Sequence, residues 1–97
     1  MGLSWTIAAA GDLRRIRERI RRDNPAAAKL VGARIRNAAK RLIALEQPLM
    51  GREGLLPGTR EWFVRKTSYL LTYRVLGDEV TILRVIYAGR ERPLEDE

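Results

Sequence analysis

Residues Tyr69–Arg92 read YLLTYRVLGDEVTILRVIYAGRER, and their reading decides the fold. Two runs rich in Tyr, Val, Ile and Leu, Tyr69–Leu76 and Glu79–Tyr87, flank Gly77-Asp78. Such runs around a Gly-Asp pair predict two antiparallel strands joined by a tight turn, followed by a short tail carrying Arg90 and Arg92. An isolated hairpin is marginal in water, so this one needs a covering layer. A two-residue turn at Gly77-Asp78 pairs Val75 with Val80 and Tyr73 with Ile82, and puts Arg74 and Arg84 on opposite faces. A three-residue turn that includes Glu79 pairs Arg74 with Ile82 and puts both arginines on one face. A slip of one residue exchanges every side chain between faces, and both registers fit the pattern.

Outward from the hairpin, Arg60–Arg65 reads as a third strand, linked by Lys66-Thr67-Ser68, and Gly51–Thr59 (GREGLLPGT) reads as a loop. The N-terminal half changes period. Leu13, Ile16 and Ile20 lie on one face of a helix beginning near Ala8, whose other positions hold Arg14, Arg15, Arg17, Arg19, Arg21 and Arg22. Asp23-Asn24-Pro25 ends it; Asn24 suits an N-cap and Pro25 the first turn of a second helix, expected to run to Glu46 before Gln47-Pro48 stops it. Val31, Ile35, Ala38, Leu42 and Leu45 alternate four and three apart, the seam of an antiparallel helix pair, and Ala27, Ala28, Ala33 and Ala39 allow close approach. Leu3–Ile7 reads as a short first strand. Helices followed by a three-strand meander predict an α+β fold, with a helical hairpin packed on one face of a mainly antiparallel sheet.

Ninety-seven residues fit a single domain, 1–97. The absence of Cys excludes disulfides and thiolate chemistry, and the absence of His removes imidazole acid–base catalysis and most transition-metal sites. No cofactor or metal is expected. No apolar run is long enough to span a bilayer and the N-terminus does not read as a signal peptide, so the expected location is the cytoplasm. The net charge of +7 is segregated: residues 1–50 hold 11 Lys/Arg and 4 Asp/Glu, whereas residues 51–97 hold 8 of each. Sixteen of the 19 basic residues are Arg, a side chain suited to bidentate pairing with carboxylate or phosphate. An anionic partner follows, either nucleic acid or an acidic protein segment.

Three groups of residues stand out. The strands and tail carry Arg60, Arg65, Arg74, Arg84, Arg90 and Arg92, which form either a basic binding surface or a set of solvated arginines paired with Glu61, Asp78, Glu79 and Glu91. The first helix carries its arginine cluster, either a nucleic-acid footprint or a soluble polar face; no aromatic residue interleaves with it, so base stacking is unsupported there. Trp62 and Phe63 are adjacent on an alternating strand, so one of them faces away from the core, as a partner contact or under a loop. For acid–base chemistry only Tyr69, Tyr73, Tyr87 and Lys66 are available, and nothing marks any of them as perturbed.

Gly51-Arg52, Pro57-Gly58-Thr59-Arg60-Glu61, Tyr69, Tyr73-Arg74-Val75, the apolar run Val80–Val85 and Gly89-Arg90 with Arg92 together resemble the ParE/RelE toxin superfamily. Asp12-Leu13 with Ile16, and Asn24-Pro25, extend the resemblance over nearly the whole chain. The superfamily divides by mechanism. RelE-like members are ribosome-dependent endoribonucleases that use lysines on the first strand of the meander, an arginine opening the next strand, a later arginine and often a C-terminal tyrosine. Laid on this chain, the lysine positions fall at about Glu61 and Phe63 and the strand-opening arginine at Leu70; only Arg90 matches, and no tyrosine follows Tyr87. The resemblance therefore implies the ParE-like branch: a non-enzymatic toxin that inhibits DNA gyrase and is neutralised by a ParD-type antitoxin, a ribbon-helix-helix protein that is the route to operator DNA. It implies target or partner contacts at Arg60, Trp62, Arg74, Arg84, Arg90 and Arg92, and a basic helix at Arg14, Arg17 and Arg21 that faces the antitoxin or, equally, serves as a gyrase–DNA contact. The alternatives are a RelE-like nuclease with Arg90 in catalysis, or a non-toxic basic binding module of the same fold.

Overall fold

The structure is a computed structural model and describes residues 1–44 and 51–89. The chain runs β1 (Gly2–Trp5), α1 (Ile7–Asp23), α2 (Pro25–Ala44), β2 (Arg52–Glu53), β3 (Arg60–Phe63), β4 (Tyr69–Leu76) and β5 (Glu79–Tyr87). The five strands form one sheet in the order β1-β5-β4-β3-β2, antiparallel throughout except that β1 runs parallel to β5. Both helices pack on one face of it, which is the expected α+β architecture.

Strand β1 covers Gly2–Trp5 and not the expected Leu3–Ile7. Thr6 ends it because the side chain caps α1: its Oγ1 accepts the Ala9 N–H at 3.0 Å and donates to the Leu83 carbonyl at 2.9 Å. Ile7 then opens the helix and is 93% exposed. Asn24 serves both helices, its N–H closing α1 on the Ile20 carbonyl and its Oδ1 accepting the Ala27 N–H. The expected end of α2 at Glu46-Gln47-Pro48, with Leu45, lies outside the described residues.

Strands β4 and β5 have the expected bounds. Strand β3 is shorter than Arg60–Arg65, because the chain turns at Phe63: the Val64 N–H bonds the Tyr69 carbonyl, Thr67 Oγ1 donates to the Val64 carbonyl, and Lys66 takes φ +63. The loop Gly51–Thr59 contains the two-residue strand β2, paired Arg52 to Glu61 and Glu53 to Arg60. The hairpin uses the two-residue turn, with Gly77 at φ +57, pairing Val75 with Val80 and Tyr73 with Ile82. A bulge then leaves Leu83 without a partner on β4 and pairs Arg84 with Thr72. The bulge reverses the parity of the rest of β5, so Arg84 shares a face with Arg74 despite the two-residue turn. It is also what buries both Ile82 and Val85, three residues apart.

The core lies between α1–α2 and the inner sheet face. Ile35, Leu42, Val64, Leu71, Tyr73, Val80 and Ile82 are its largest fully buried members. Gly32 faces Arg17, whose Cδ lies only 3.0 Å from where a Cβ would stand, so the Arg17 stem packs on the bare backbone of α2 at that point.

Candidate functional site

Helix α1 presents two basic flanks on either side of its buried stripe. On the flank toward α2, Arg14, Arg17 and Arg21 line a groove of about 530 Å³ together with Glu18, Pro25, Ala26, Ala28 and Lys29. Arg21 pairs with Glu18 across one helical turn at 2.6 Å. The floor of the groove is made by the first turn of α2, where Pro25, Ala26 and Ala28 expose little but carbon. Four cations and one carboxylate over such a floor suit an acidic, amphipathic chain.

The flank toward the sheet is organised by Asp12, which is 7% exposed. Its carboxylate accepts the Val85 N–H at 3.0 Å, Arg84 Nε at 2.8 Å and Nη2 at 2.9 Å, and Arg15 Nη2 at 3.0 Å. Strand β1 stops opposite Ile82, so Asp12 serves the part of the β5 edge that no strand covers. The bidentate Arg84, aided by the Val85 N–H and Arg15 against the opposing pull of burial, lowers the Asp12 pKa from 3.8 to about 2.

The structure separates the sheet arginines. Arg74 lies exposed on the outer face, away from the helices. Arg60, opposite Tyr73, points to the inner face and donates to the Gly51 carbonyl, while the Gly51 N–H donates to the Tyr73 hydroxyl at 3.1 Å. Arg60 thereby fastens the β2 loop to the sheet. Arg84 belongs to the outer face by register, yet its guanidinium reaches round the β5 edge to Asp12. Trp62 is half-buried against the core, and Phe63 is the aromatic that faces away, itself buried on the outer face. Arg90 and Arg92 lie outside the described residues. Among the described residues, the sheet arginines Arg60, Arg74 and Arg84 thus point three different ways, whereas Arg14, Arg17 and Arg21 share the groove on α1.

Of the positions where the resemblance to RelE-like nucleases would put cations, Glu61, Phe63 and Leu70 are acidic or apolar, and Arg90 lies outside the described residues. Phe63, Leu70 and Ile86 stand side by side across β3, β4 and β5, and Glu61 pairs with Arg52 at 3.3 Å. The Tyr73 hydroxyl is occupied by the Gly51 N–H, and the Tyr69 hydroxyl accepts from Arg19. No group of three acidic residues that could hold a metal ion occurs among the described residues. Among them, too, no helix is long and apolar enough to cross a membrane.

Two features escaped the sequence reading. One is a smaller groove lined by Leu3, Trp5, Ala10, Leu13, Arg36 and Lys40. The other is the contact of Arg19 with Tyr69, whose ring meets that of Tyr87 edge to face at 5.7 Å. Fifty residues separate Arg19 from Tyr69, so no local pattern announces the meeting.

The family described as ParE toxin of type II toxin–antitoxin system, parDE, matches residues 3–92. The candidate toxin Y4kP of Sinorhizobium fredii is 37% identical over 91 residues, spanning 94% of this chain and 92% of its own length. A solved chain of the chromosomal ParDE toxin–antitoxin system from P. aeruginosa superposes with a TM-score of 0.84 at 29% identity, over 92% of this chain and 97% of that one.

Proposed function

The chain belongs to the ParE toxin family of type II toxin–antitoxin systems, and from that premise we propose that it inhibits DNA gyrase by binding and is neutralised by a ParD-type antitoxin. The observation that carries a binding mode over a catalytic one is the apolar row Phe63–Leu70–Ile86 on the outer sheet face. A RelE-like ribonuclease would hold cations at Phe63 and Leu70 of that row to stabilise a pentacoordinate phosphate, and uncharged side chains supply no such stabilisation.

The antitoxin's side of the reading rests on the α1–α2 groove. An amphipathic acidic segment laid in it would place apolar side chains on Pro25, Ala26 and Ala28 and carboxylates on Arg14, Arg17 and Arg21. The partner in this reading is a ribbon-helix-helix protein, through which alone the complex reaches operator DNA. In this reading the exposed Arg74 contacts the target, as do Arg90 and Arg92, which lie outside the described residues. Both toxin and target then act in the cytoplasm.

The test is a gyrase supercoiling assay with purified toxin. Loss of supercoiling with accumulation of cleaved DNA, reversed by stoichiometric antitoxin, is the expected result. Intact supercoiling together with ribosome-dependent mRNA cleavage that Arg90→Ala abolishes would replace this reading with the nuclease one. Charge reversal at Arg17 (Arg17→Glu) should weaken antitoxin binding at least tenfold while leaving gyrase inhibition intact.

A further inference from the structure

The sheet-facing flank of α1 carries more than charge. Arg15, Arg19 and Arg22 follow Asp12 at intervals of three, four and three, so all four lie on one stripe of the helix. Opposite this stripe stand the ends of β4 and β5. Tyr69 is buried and its hydroxyl accepts from Arg19. Its ring supports that of Tyr87, with centroids 5.7 Å apart and planes at 67°. Tyr87 nevertheless remains 62% exposed. Its surroundings hold it in place: the Ala88 N–H bonds the Ser68 carbonyl at 2.7 Å, continuing the pairing past the strand. The chain then turns at Gly89 with φ +68, where a Cβ would lie 3.5 Å from the Tyr87 ring.

An exposed aromatic ring braced from one side, beside a run of arginines, is the combination that grips an unpaired base and its phosphates. We propose that this flank binds single-stranded nucleic acid, with a base stacked on Tyr87 and neighbouring phosphates paired with Arg19 and Arg22. Arg19 keeps donors free for a phosphate while one holds Tyr69, because a guanidinium has five. The geometry favours a nucleic acid over an acidic peptide. The α2-facing groove has an apolar floor for side chains, whereas this flank offers a single flat ring and charge. It favours single strands over duplex, whose bases are already stacked on one another and out of the ring's reach. The sequence offers no aromatic among the arginines of this helix; the fold brings Tyr69 and Tyr87 to it from the sheet.

The site is independent of the target assigned above, since it is read with the toxin and oligonucleotides alone. Fluorescence anisotropy of labelled oligo(dT) and oligo(rU), with a matched duplex and polyglutamate as competitors, reads it directly. The wild-type chain should prefer single strands. Tyr87→Ala should weaken that binding on the order of tenfold and leave duplex binding unchanged. Tyr87→Phe should retain it. Tyr87→Leu, which keeps an apolar contact on Tyr69, should lose it like the alanine variant, separating loss of the ring from loss of the fold. Arg22→Ala should reduce the log–log salt slope by about 0.7. Undetectable binding at low salt would overturn the proposal. So would full affinity in both Tyr87→Ala and Tyr87→Leu, which would leave the ring no part in binding, or competition by polyglutamate as effective as by oligo(dT), which would make the flank a seat for acidic chains.

Discussion

The two flanks of α1 are built from the same residue type and do different things. Toward α2, Arg14, Arg17 and Arg21 border an apolar floor, and their one acidic neighbour is the exposed Glu18. Toward the sheet, Arg15, with Arg84 of β5, closes on the buried Asp12, and Arg19 closes on Tyr69. The difference lies in what the fold sets opposite. An exposed ion pair such as Arg21–Glu18 contributes little to stability, about 0.3–0.5 kcal/mol, because water already solvates both ends. A buried carboxylate that also satisfies a backbone N–H contributes several times more, because removing it strands the buried Val85 N–H, which water reaches poorly. One flank is therefore open for a partner, and the other doubles as a structural tie.

Substitutions should break this contrast in order of size. Asp12→Ala should have the largest effect. It strands the Val85 N–H and frees Arg84, and should cost about 3 kcal/mol by urea denaturation. A loss under about 1 kcal/mol would mean the β5 edge is satisfied some other way.

Acid titration sharpens the same side. Asp12 holds its proton more weakly in the folded chain, at about 2 against an ordinary 3.8, so the unfolded state protonates first as pH falls. Its contribution, about 2 kcal/mol, should be complete above roughly pH 5, shrink as pH drops through 3.8, and be gone below about 2. Unfolding midpoints measured across that window should fall in the wild type and flatten in Asp12→Asn; parallel curves for the two proteins would count against the tie.

The other flank should respond in binding more than in stability. Gly32→Ala gains about 1 kcal/mol of helix propensity and loses part of it in pushing Arg17 Cδ aside from 3.0 Å, for a net change within about 1 kcal/mol. Because Arg17 borders the groove, antitoxin affinity measured by calorimetry should still fall several-fold. Arg21→Ala should be the mildest of these for stability, within about 0.5 kcal/mol. A large melting-temperature drop for either would dissolve the distinction between the flanks.

Much of the architecture is written locally. The bounds of β4 and β5, the turn at Gly77-Asp78, and Asn24 with Pro25 between the helices each follow from residues adjacent in the chain. Even the bulge left a mark in hindsight, since Ile82 and Val85 are three apart in a strand where buried residues should alternate. Other features had no local trace. The two-residue strand β2 hides in a Gly- and Pro-rich loop because its pairing comes from Arg60 and Glu61. Thr6 ends β1 only because the Leu83 carbonyl is there to accept its hydroxyl. The marked arginines Arg60, Arg74 and Arg84 diverged because strand parity, a bulge and a loop closure each moved one of them.

By itself, then, the sequence determined the two helices and the strands other than β2, that positive charge concentrates on the helical half, and that the chain resembles toxins of this family. Each of these depends on neighbouring residues or on simple summation. Only the tertiary structure decided what each arginine of α1 faces. Asp12 meets Arg84 across 72 residues and Arg19 meets Tyr69 across 50. Periodicity places a side chain on a face of its own element; what occupies the space opposite is set by how separate elements pack.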